Sequence, residues 1–261
     1  MTSTERLRYD ISDGVATLTL DDPDARNALG DGMVDDLSAA FSEAKADEGV
    51  RVVVIASSHP RVFSAGGDLG GFRDERAPIE KYQGMERIPC LYRDIAALGK
   101  PVLCAANGDV LAGAFGLALA CDLIVAKDSA RFGCPEINVG AFPFMISALV
   151  FRNIGRMKAN ELMFLGDQIS ATEAERLGIV NHVTSDAHFD EVIATWARRL
   201  AEKSPLLMRM GKDAINATCD MHLSEALEHL RGQLALAFTT EDLREGVNAF
   251  FEKRTPEWAG R

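Results

Sequence analysis

The amino-acid sequence predicts an α/β fold in which strands and helices alternate at first and helices alone follow. Short apolar runs rich in β-branched residues, such as VATLTL at Val15–Leu20, are typical of strands, and segments with helical periodicity separate them. From Asp186 onward the chain carries consecutive amphipathic helical patterns and no further strand signal. These observations divide the chain into a mixed region, residues 1–196, and a helical region, residues 197–261.

Five segments are predicted to contain strands because they are short and apolar. The second of them, VRVVVIASS, is apolar without alternation, which is typical of a sheet covered on both faces. The third, KPVLCAANG, has the pattern of a buried strand that ends in a turn. The five segments are Val15–Leu20, Val50–Ser58, Lys100–Gly108, Asp122–Gly133 and Gly178–Val183.

Amphipathic periodicity predicts the helices. A polar stretch, Arg73–Glu86, interrupts the pattern and is predicted to be mobile. The predicted helices of the mixed region are Asp31–Lys45, Arg87–Leu98, the small-residue run after Asp109, and a broken helical segment at Ile146–Gly178. Those of the helical region are DEVIATWARRLAEKSP, LLMRMGKDAINATC, SEALEHLRGQLALAFTT and EDLREGVNAFFEKR.

The charge balance disfavours nucleic acid and anionic membranes as partners. The 261 residues include 28 Lys and Arg against 39 Asp and Glu, which gives a formal net charge of -11. The start of the sequence has no apolar segment of the kind found in secretory signals. The 5 cysteines show no paired or metal-binding spacing, which is typical of reduced thiols in a cytosol. We therefore expect a cytoplasmic protein.

A run of small residues, NGDVLAGAFGLALACDLIVA at Asn107–Ala126, carries no charge between Val110 and Cys121. It is too short to cross a bilayer, which takes roughly 20 apolar residues. If a helix begins at Gly113, its amide lacks a helical acceptor and has the positive end of the helix dipole behind it. A second small-residue turn, FSAGGDL, places Gly67 after a strand.

Two such amides facing one oxygen would form an oxyanion hole, which stabilises a carbonyl as it becomes an enolate. The alternative is that Gly67 and Gly113 serve tight turns and close packing of a helix against a strand. The run GDVLAGAFG lacks the Lys-Ser/Thr pair of a phosphate loop, which disfavours a nucleotide site. The 5 histidines show no ligand spacing either, and we expect no metal.

The turn GCPEINVG contributes a candidate acid–base group. Glu136 follows Pro135 in an apolar neighbourhood. Burial raises the proton affinity of a carboxyl group and suits it to proton transfer near neutral pH. The alternative is an ordinary surface glutamate in a turn.

The block KPVLCAANGDVLAGAFGLALACDLIVAKDSARFGCPEINVG resembles the corresponding block of the crotonase superfamily, which contains the enoyl-CoA hydratases and isomerases. The motifs FSAGGDL, RNAL, GDQISATEAERLGIVNHV and EGVNAFFEKRTPEW resemble that family too, in order and over nearly the whole chain. The resemblance implies an enzyme that acts on acyl-CoA thioesters. It implies a spiral of repeated ββα units for residues 1–196. For residues 197–261 it implies a helical region that builds trimers, often paired into hexamers.

The resemblance also implies which residues form the site. The two oxyanion amides fall on Gly67 and Gly113. Ala65 falls where a backbone carbonyl meets the adenine of CoA, and Arg26 lies in the loop that borders the CoA phosphates. Lys253 matches a basic position that reaches CoA from near the C-terminus, often in a neighbouring subunit. CoA is part of the substrate, so we expect no separate cofactor.

The sequence departs from the family's hydratases at one position that matters. Two glutamates hold the attacking water in those enzymes; one matches Glu136, and Gly116 stands where the other would fall. Losing a positioned acid–base group typically costs ~100- to 10,000-fold in rate. Moving a double bond from 3-enoyl to 2-enoyl needs only one base, which takes a C2 proton and returns it at C4. We therefore predict isomerisation, with Glu136 as the proton shuttle.

Three other functions remain open at this point. The first is hydration of an enoyl-CoA with Glu136 alone. The second is hydrolysis of a specialised acyl-CoA, which would release free CoA. The third, from another class, is a CoA-binding trimer with little turnover, in which Gly116 marks lost catalysis.

Overall fold

The computed structural model of the protein describes residues 3–68, 70, 75 and 77–261. In this part of the chain, ten strands and eleven α-helices follow one another. The strands are β1 Leu7–Ser12, β2 Val15–Leu20, β3 Val52–Ser57, β4 Val62–Ser64, β5 Val102–Ala106, β6 Asp109–Leu111, β7 Leu123–Lys127, β8 Arg131–Gly133, β9 Gln168–Ser170 and β10 His182–Thr184. The helices are α1 Asp31–Ala46, α2 Pro78–Gly84, α3 Arg87–Ala96, α4 Gly113–Ala120, α5 Phe144–Asn153, α6 Arg156–Leu165, α7 Ala171–Arg176, α8 Phe189–Ala201, α9 Pro205–Thr218, α10 Leu223–Ala237 and α11 Glu241–Glu252.

The strands form two sheets. One has six strands in the order β1-β2-β3-β5-β7-β10, and the other has four in the order β4-β6-β8-β9. Neighbouring strands are parallel, except for the antiparallel pairs β1/β2 and β8/β9. From β3 onward the chain adds one strand to each sheet and then forms one or more helices before it adds the next two strands. The successive strand pairs are β3 and β4, β5 and β6, and β7 and β8. This path confirms the predicted spiral of ββα units.

Helix α4 lies in the main core and is buried on every side. All of its residues from Ala114 to Leu119 are buried, and it contacts α3, α5 and β6. Phe115 packs edge-on against Phe132 of β8, with ring centroids 6.1 Å apart. Because the helix has no solvent-facing side, it carries no charge, and its small residues let neighbours approach closely. In the described part of the chain, no helix is long and apolar enough to span a membrane.

The six-stranded sheet is covered on both faces. Strands β3, β5 and β7 direct one set of side chains into the main core and the other set, including Val54, Leu103 and Val125, toward α8. Phe189 and Ala197 of α8 complete this second apolar cluster. Apolar sequence is therefore required at consecutive positions of these strands, and this confirms the interpretation of VRVVVIASS.

Four elements differ from the sequence predictions. Strand β6 lies at the start of the small-residue run predicted to be helical. Strand β1 carries no strong strand signal of its own and pairs with β2 along its whole length. Strand β9 lies inside a segment predicted to be helical and is formed by pairing with β8. Helix α2 lies inside the polar stretch predicted to be mobile, and it begins with Pro78 in its first turn. Residues 73, 74 and 76 of that stretch lie outside the described residues.

Helices alone follow β10, as the sequence predicted. The predicted boundary between residues 196 and 197 lies within α8, and the division into two regions stays a prediction. An ion pair between the buried Lys212 of α9 and the more exposed Asp122 joins the helical region to the core. The Lys212 Nζ donates to Asp122 Oδ2 at 2.7 Å and to the Lys100 carbonyl at 3.0 Å. The same Asp122 oxygen accepts the Val102 amide at 2.7 Å. This cluster ties α9 to the segment that follows α4.

A buried carboxylate anchors the last helix. Asp242 is fully buried and accepts the Ser204 hydroxyl at 2.5 Å. Its other oxygen accepts the amides of Ala259 at 2.8 Å and Gly260 at 2.9 Å. The starts of α9 and α11 and the end of the chain are therefore held at one point.

We expect Lys212→Ala to lower the free energy of unfolding by about 1–2 kcal/mol, because it removes a charge-assisted hydrogen bond to Asp122 and leaves the Lys100 carbonyl without its donor. Chemical denaturation checks this value. Lys158→Ala, which removes a cation paired with Glu161 at the surface, is the matched control and should leave stability nearly unchanged. Equal losses in the two variants would show that the Lys212 cluster does not anchor α9.

Candidate active site

Two loops meet at the edge of the four-stranded sheet. One follows β4, and the other carries the RNAL motif before α1. The Ala65 amide donates to the Arg26 carbonyl at 3.0 Å, and the Leu29 amide donates to the Gly66 carbonyl at 2.7 Å. Leu29 and Gly67 pair as in a parallel sheet. The RNAL loop thus fixes the backbone on which Gly67 lies.

A buried asparagine that the sequence analysis did not single out holds these loops together. Asn27 is fully buried and has a left-handed backbone, with φ 53. Its amide nitrogen donates to the Ser57 hydroxyl at 2.8 Å and to the Phe63 carbonyl at 3.1 Å, and its side-chain oxygen accepts the Asp22 amide at 2.8 Å. The Ser64 hydroxyl donates to its backbone carbonyl at 2.6 Å. The signal in the sequence was an Asn in a turn-rich loop, because Asn tolerates this conformation.

The loop after β4 lies directly against the start of α4. Gly66 has φ +88, and a Cβ there would lie 2.5 Å from the Leu111 carbonyl oxygen and 2.8 Å from the Gly113 nitrogen. No side chain fits in that space. On the other side, a Cβ at Gly113 would lie 3.4 Å from the Gly67 nitrogen. The structure therefore brings Gly67 and Gly113, the two predicted amide donors, side by side.

Both amides are available to a ligand. Gly113 is the first residue of α4, so its N–H has no acceptor within the helix. Among the described residues, neither the Gly67 nor the Gly113 amide donates a hydrogen bond. A carbonyl oxygen placed between them would accept two hydrogen bonds at the positive end of the helix dipole.

The residue before α4 has a strained backbone. Ala112 has φ 52 and ψ -128, a conformation that suits glycine better than a residue with a Cβ. Its amide donates to the Gly133 carbonyl at 2.9 Å, which joins the start of α4 to β8. Such conformations cost on the order of 1–3 kcal/mol and persist where the surroundings enforce them. The strain at Ala112 sets the direction in which the Gly113 amide points.

Glu136 lies in the short 3-10 turn that follows β8. The side chain is partly buried, and its Oε2 atom is inaccessible to solvent without a hydrogen-bond partner among the described residues. Burial raises the pKa of this carboxyl above its ordinary value, although the hydrogen bond from its own amide opposes the shift. Glu136 is therefore not an ordinary surface glutamate, and its Oε2 lacks the hydrogen-bond partner that a buried acceptor ordinarily has.

Tyr92 of α3 links Glu136 to the start of α4, and the sequence analysis missed it. Its hydroxyl donates to the Gly113 carbonyl at 3.2 Å. Burial, and after it the negative charge of Glu136, raises the pKa of the Tyr92 phenol. The phenol is therefore bonded to the start of α4 and feels the charge of Glu136. An aromatic residue in an amphipathic helix predicts core packing, so no pattern in the sequence distinguished Tyr92.

Cys134, two residues before Glu136, is buried. Burial, followed by the charge of Glu136, raises the pKa of the Cys134 thiol to about 12. A thiol of this kind stays protonated near neutral pH and is a poor nucleophile. No group of three or more His, Cys, Asp or Glu among the described residues is arranged to hold a metal ion.

The residues expected at the CoA moiety lie in two places. Ala65 is partly buried beside Gly67, and its carbonyl accepts no hydrogen bond among the described residues. Arg26 is exposed on the adjoining loop with φ 55. Lys253 is exposed at the end of α11, and within the described chain no contact joins it to Arg26 or Ala65. The structure brings Arg26 and Ala65 together and leaves Lys253 apart.

Known proteins resemble this chain over nearly its whole length. A family profile described as enoyl-CoA hydratase/isomerase matches residues 10–261. The chain belongs to the enoyl-CoA hydratase/isomerase family. This family assignment confirms the resemblance to the crotonase superfamily. The protein is an enzyme of this family, whose members act on enoyl-CoA thioesters.

Relatives of this enoyl-CoA hydratase/isomerase family member match over nearly their whole length. A probable enoyl-CoA hydratase of Mycobacterium leprae is 36% identical over 98% of this chain and 100% of its own. The 2,3-dehydroadipyl-CoA hydratase of Escherichia coli is 34% identical over 95% of this chain and 96% of its own. The crystal structure of an enoyl-CoA hydratase of Mycobacterium smegmatis superposes with a TM-score of 0.93 at 34% identity, covering 97% and 98% of the two chains.

We expect Gly113→Ala to lower turnover of an enoyl-CoA substrate at least ~100-fold, the usual cost of losing one oxyanion donor. The added methyl group would lie 3.4 Å from the Gly67 nitrogen, so the fold survives while a ligand oxygen is displaced. Steady-state kinetics and a thermal melt check the two parts. The matched control is Gly211→Ala in α9, where a Cβ meets nothing within 4 Å. Full activity in Gly113→Ala would exclude an oxyanion role.

Proposed function

We propose that this enzyme converts 3-enoyl-CoA into 2-enoyl-CoA thioesters, with Glu136 as the proton shuttle and the Gly67 and Gly113 amides as the oxyanion hole. The observation that carries the proposal is the buried Oε2 of Glu136, which has no hydrogen-bond partner among the described residues. Its charge acts on Tyr92, whose hydroxyl donates to the carbonyl of Gly113, the residue that carries one of the two free amides. One base and one oxyanion hole are what this reaction requires.

The chemical steps follow from these groups. The ionised Glu136 removes a proton from C2, and the electron pair moves onto the thioester oxygen to form an enolate. The Gly67 and Gly113 amides stabilise that oxygen, because they donate hydrogen bonds in a site that already holds them in place. The protonated Glu136 then returns the proton at C4, and the double bond moves to C2–C3. No atom is gained or lost.

The raised pKa of Glu136 suits both halves of this cycle. A carboxylate with a raised pKa is a stronger base toward C2 near neutral pH than an ordinary carboxylate. Its Oε2 meets no cation or donor among the described residues that would lower its basicity. A neighbouring phenol, Tyr92, is protonated in the same pH range.

Hydration of a 2-enoyl-CoA is the second candidate function, because the relatives from Mycobacterium leprae and Escherichia coli carry the name hydratase. Hydration would have to use Glu136 without a second carboxylate, since Gly116 has no side chain. Hydrolysis would release free CoA, and a CoA-binding trimer without turnover would do neither. A thiol reagent detects the free CoA that hydrolysis releases. The absorbance of the conjugated enoyl thioester distinguishes isomerisation, hydration and the absence of turnover.

The binding of the CoA moiety is part of the proposal. Ala65 offers its free carbonyl to the adenine, Arg26 borders the phosphates, and Lys253 reaches the phosphates of a neighbouring subunit's ligand. CoA arrives with the substrate, and the chemistry needs no further cofactor.

We also propose a cytoplasmic location, which the free cysteines support.

A homotrimer, alone or paired into a hexamer, is supported by the surface of the helical region. Helix α10 buries none of its residues within the chain. Contiguous exposed apolar surface of this extent marks an interface. The exposed apolar side chains of α10 and α11 are Leu223, Leu227, Leu230, Leu234, Leu236, Val247, Phe250 and Phe251.

We expect Glu136→Gln to lower the isomerisation rate ~100- to 10,000-fold while KM changes little, because the amide cannot accept the C2 proton. The rise in absorbance as 3-enoyl-CoA becomes 2-enoyl-CoA measures the rate. Glu48→Gln, which makes the same change at an exposed loop residue, is the control and should keep full activity. Undiminished isomerisation by Glu136→Gln would remove Glu136 as the shuttle.

The pH dependence gives a separate expectation. Glu136 must be ionised to accept the C2 proton, so kcat/KM should fall as the pH drops through its raised pKa. The acid limb of the profile should therefore lie above the range of an ordinary glutamate, whose pKa is about 4.3. The residual activity of Glu136→Gln should lack this limb. An acid limb that persists in the variant would belong to another group.

A further inference from the structure

Tyr92 fills the space next to Gly116. A Cβ at Gly116 would lie 2.4 Å from the Tyr92 hydroxyl oxygen and 3.0 Å from its Cζ, and 2.4 Å from Ile146 Cγ2. Carbon atoms in contact are ordinarily about 3.5–4.0 Å apart, so no side chain fits at Gly116 while Tyr92 and Ile146 hold these positions. The absence of a side chain at Gly116 and the position of the Tyr92 ring therefore depend on each other.

This arrangement lies on the first turn of α4. Gly113 and Gly116 are three residues apart and share one face of the helix. The Tyr92 hydroxyl bonds the carbonyl of Gly113 and covers Gly116. The phenol therefore stands beside the turn that presents the proposed oxyanion amide.

The phenol is a neutral group throughout the range in which Glu136 works. Burial and the Glu136 carboxylate both favour its protonated form. It therefore cannot serve as a second base that activates water. It occupies volume and presents a hydroxyl whose proton already has an acceptor, the Gly113 carbonyl.

The distinction between the two candidate reactions rests on water. Hydration adds water across C2=C3, with the hydroxyl on C3 and the proton on C2, and a second polar group must orient that water beside Glu136. Isomerisation moves one proton from C2 to C4, and water is not a reactant. We propose that Tyr92 is a specificity-determining residue. It closes the space over Gly116 from which a water and its holding group would act, and so restricts Glu136 to proton transfer. This inference deepens the proposed function and rests on it.

The experiment compares both reactions in the full-length protein and its variants. The absorbance of the conjugated enoyl thioester rises when 3-enoyl-CoA isomerises and falls when 2-enoyl-CoA is hydrated. In Tyr92→Ala/Gly116→Glu the volume left by the Tyr92 ring gives Ile146, whose Cγ2 would lie 2.4 Å from the new Cβ, room to move aside, and a second carboxylate can then enter the space. We expect its hydration rate to exceed that of the wild type at least ~100-fold, as for a positioned acid–base group. Gly116→Glu alone should gain no hydration, because Tyr92 still blocks the space.

Two single variants keep the test decisive even if the double variant fails to fold. Tyr92→Ala should raise the ratio of hydration to isomerisation at least ~10-fold, because water then reaches Glu136. Tyr92→Phe keeps the ring and should leave that ratio unchanged. Tyr9→Phe is the matched control, since it removes a buried hydroxyl without a partner among the described residues, in β1. A purely structural role for Tyr92 would lower both rates together and leave the ratio constant.

The outcomes separate this inference from the proposed function. An unchanged ratio in Tyr92→Ala, or a shift in Tyr92→Phe as large as that in Tyr92→Ala, overturns the role of Tyr92. A wild type that does not isomerise 3-enoyl-CoA overturns the proposed function, while a gain of hydration in Tyr92→Ala/Gly116→Glu would still support the closure of the space. A wild type that hydrates as fast as it isomerises contradicts both.

Discussion

The close contact between the loop after β4 and the start of α4 is the constraint on which the site depends. At Gly66 the two backbones approach so closely that a Cβ would lie 2.5 Å from the Leu111 carbonyl oxygen. This contact places the Gly67 and Gly113 amides side by side. Asn27 holds one partner through the RNAL loop, and strained Ala112 holds the other. The rest of the fold keeps these two backbones together.

The spiral architecture explains why this contact is possible. Each turn of the chain supplies one strand to each sheet, so β4 and β6 become parallel neighbours although an entire helical excursion separates them. Their following segments then leave the sheet at the same edge, where the carboxyl ends of parallel strands meet. Burying α4 on all sides removes its freedom to shift, and the Lys212–Asp122 pair fixes the segment beyond its end.

Around this backbone frame, side chains decide the chemistry. Glu136 carries a buried oxygen without a partner in the described chain. The family match accounts for the fold. On α4 the space beside Gly116 is occupied by Tyr92 from α3 and by Ile146 from α5. A change of reaction within one fold then needs only a change in which groups reach the substrate.

The sequence alone determined the α/β class, the buried strands, the central small-residue helix and the family, because apolar runs, periodicity and ordered motifs are local signals. It also singled out Gly67, Gly113 and Glu136 as candidates. Strands β1 and β9 escaped it because short edge strands are defined by their partners. Only the tertiary structure revealed Asn27 and Tyr92, since their roles depend on contacts with residues distant in the chain. Only the tertiary structure showed that the space beside Gly116 is occupied by a side chain from another helix. A glycine in a sequence does not indicate which residue packs against it.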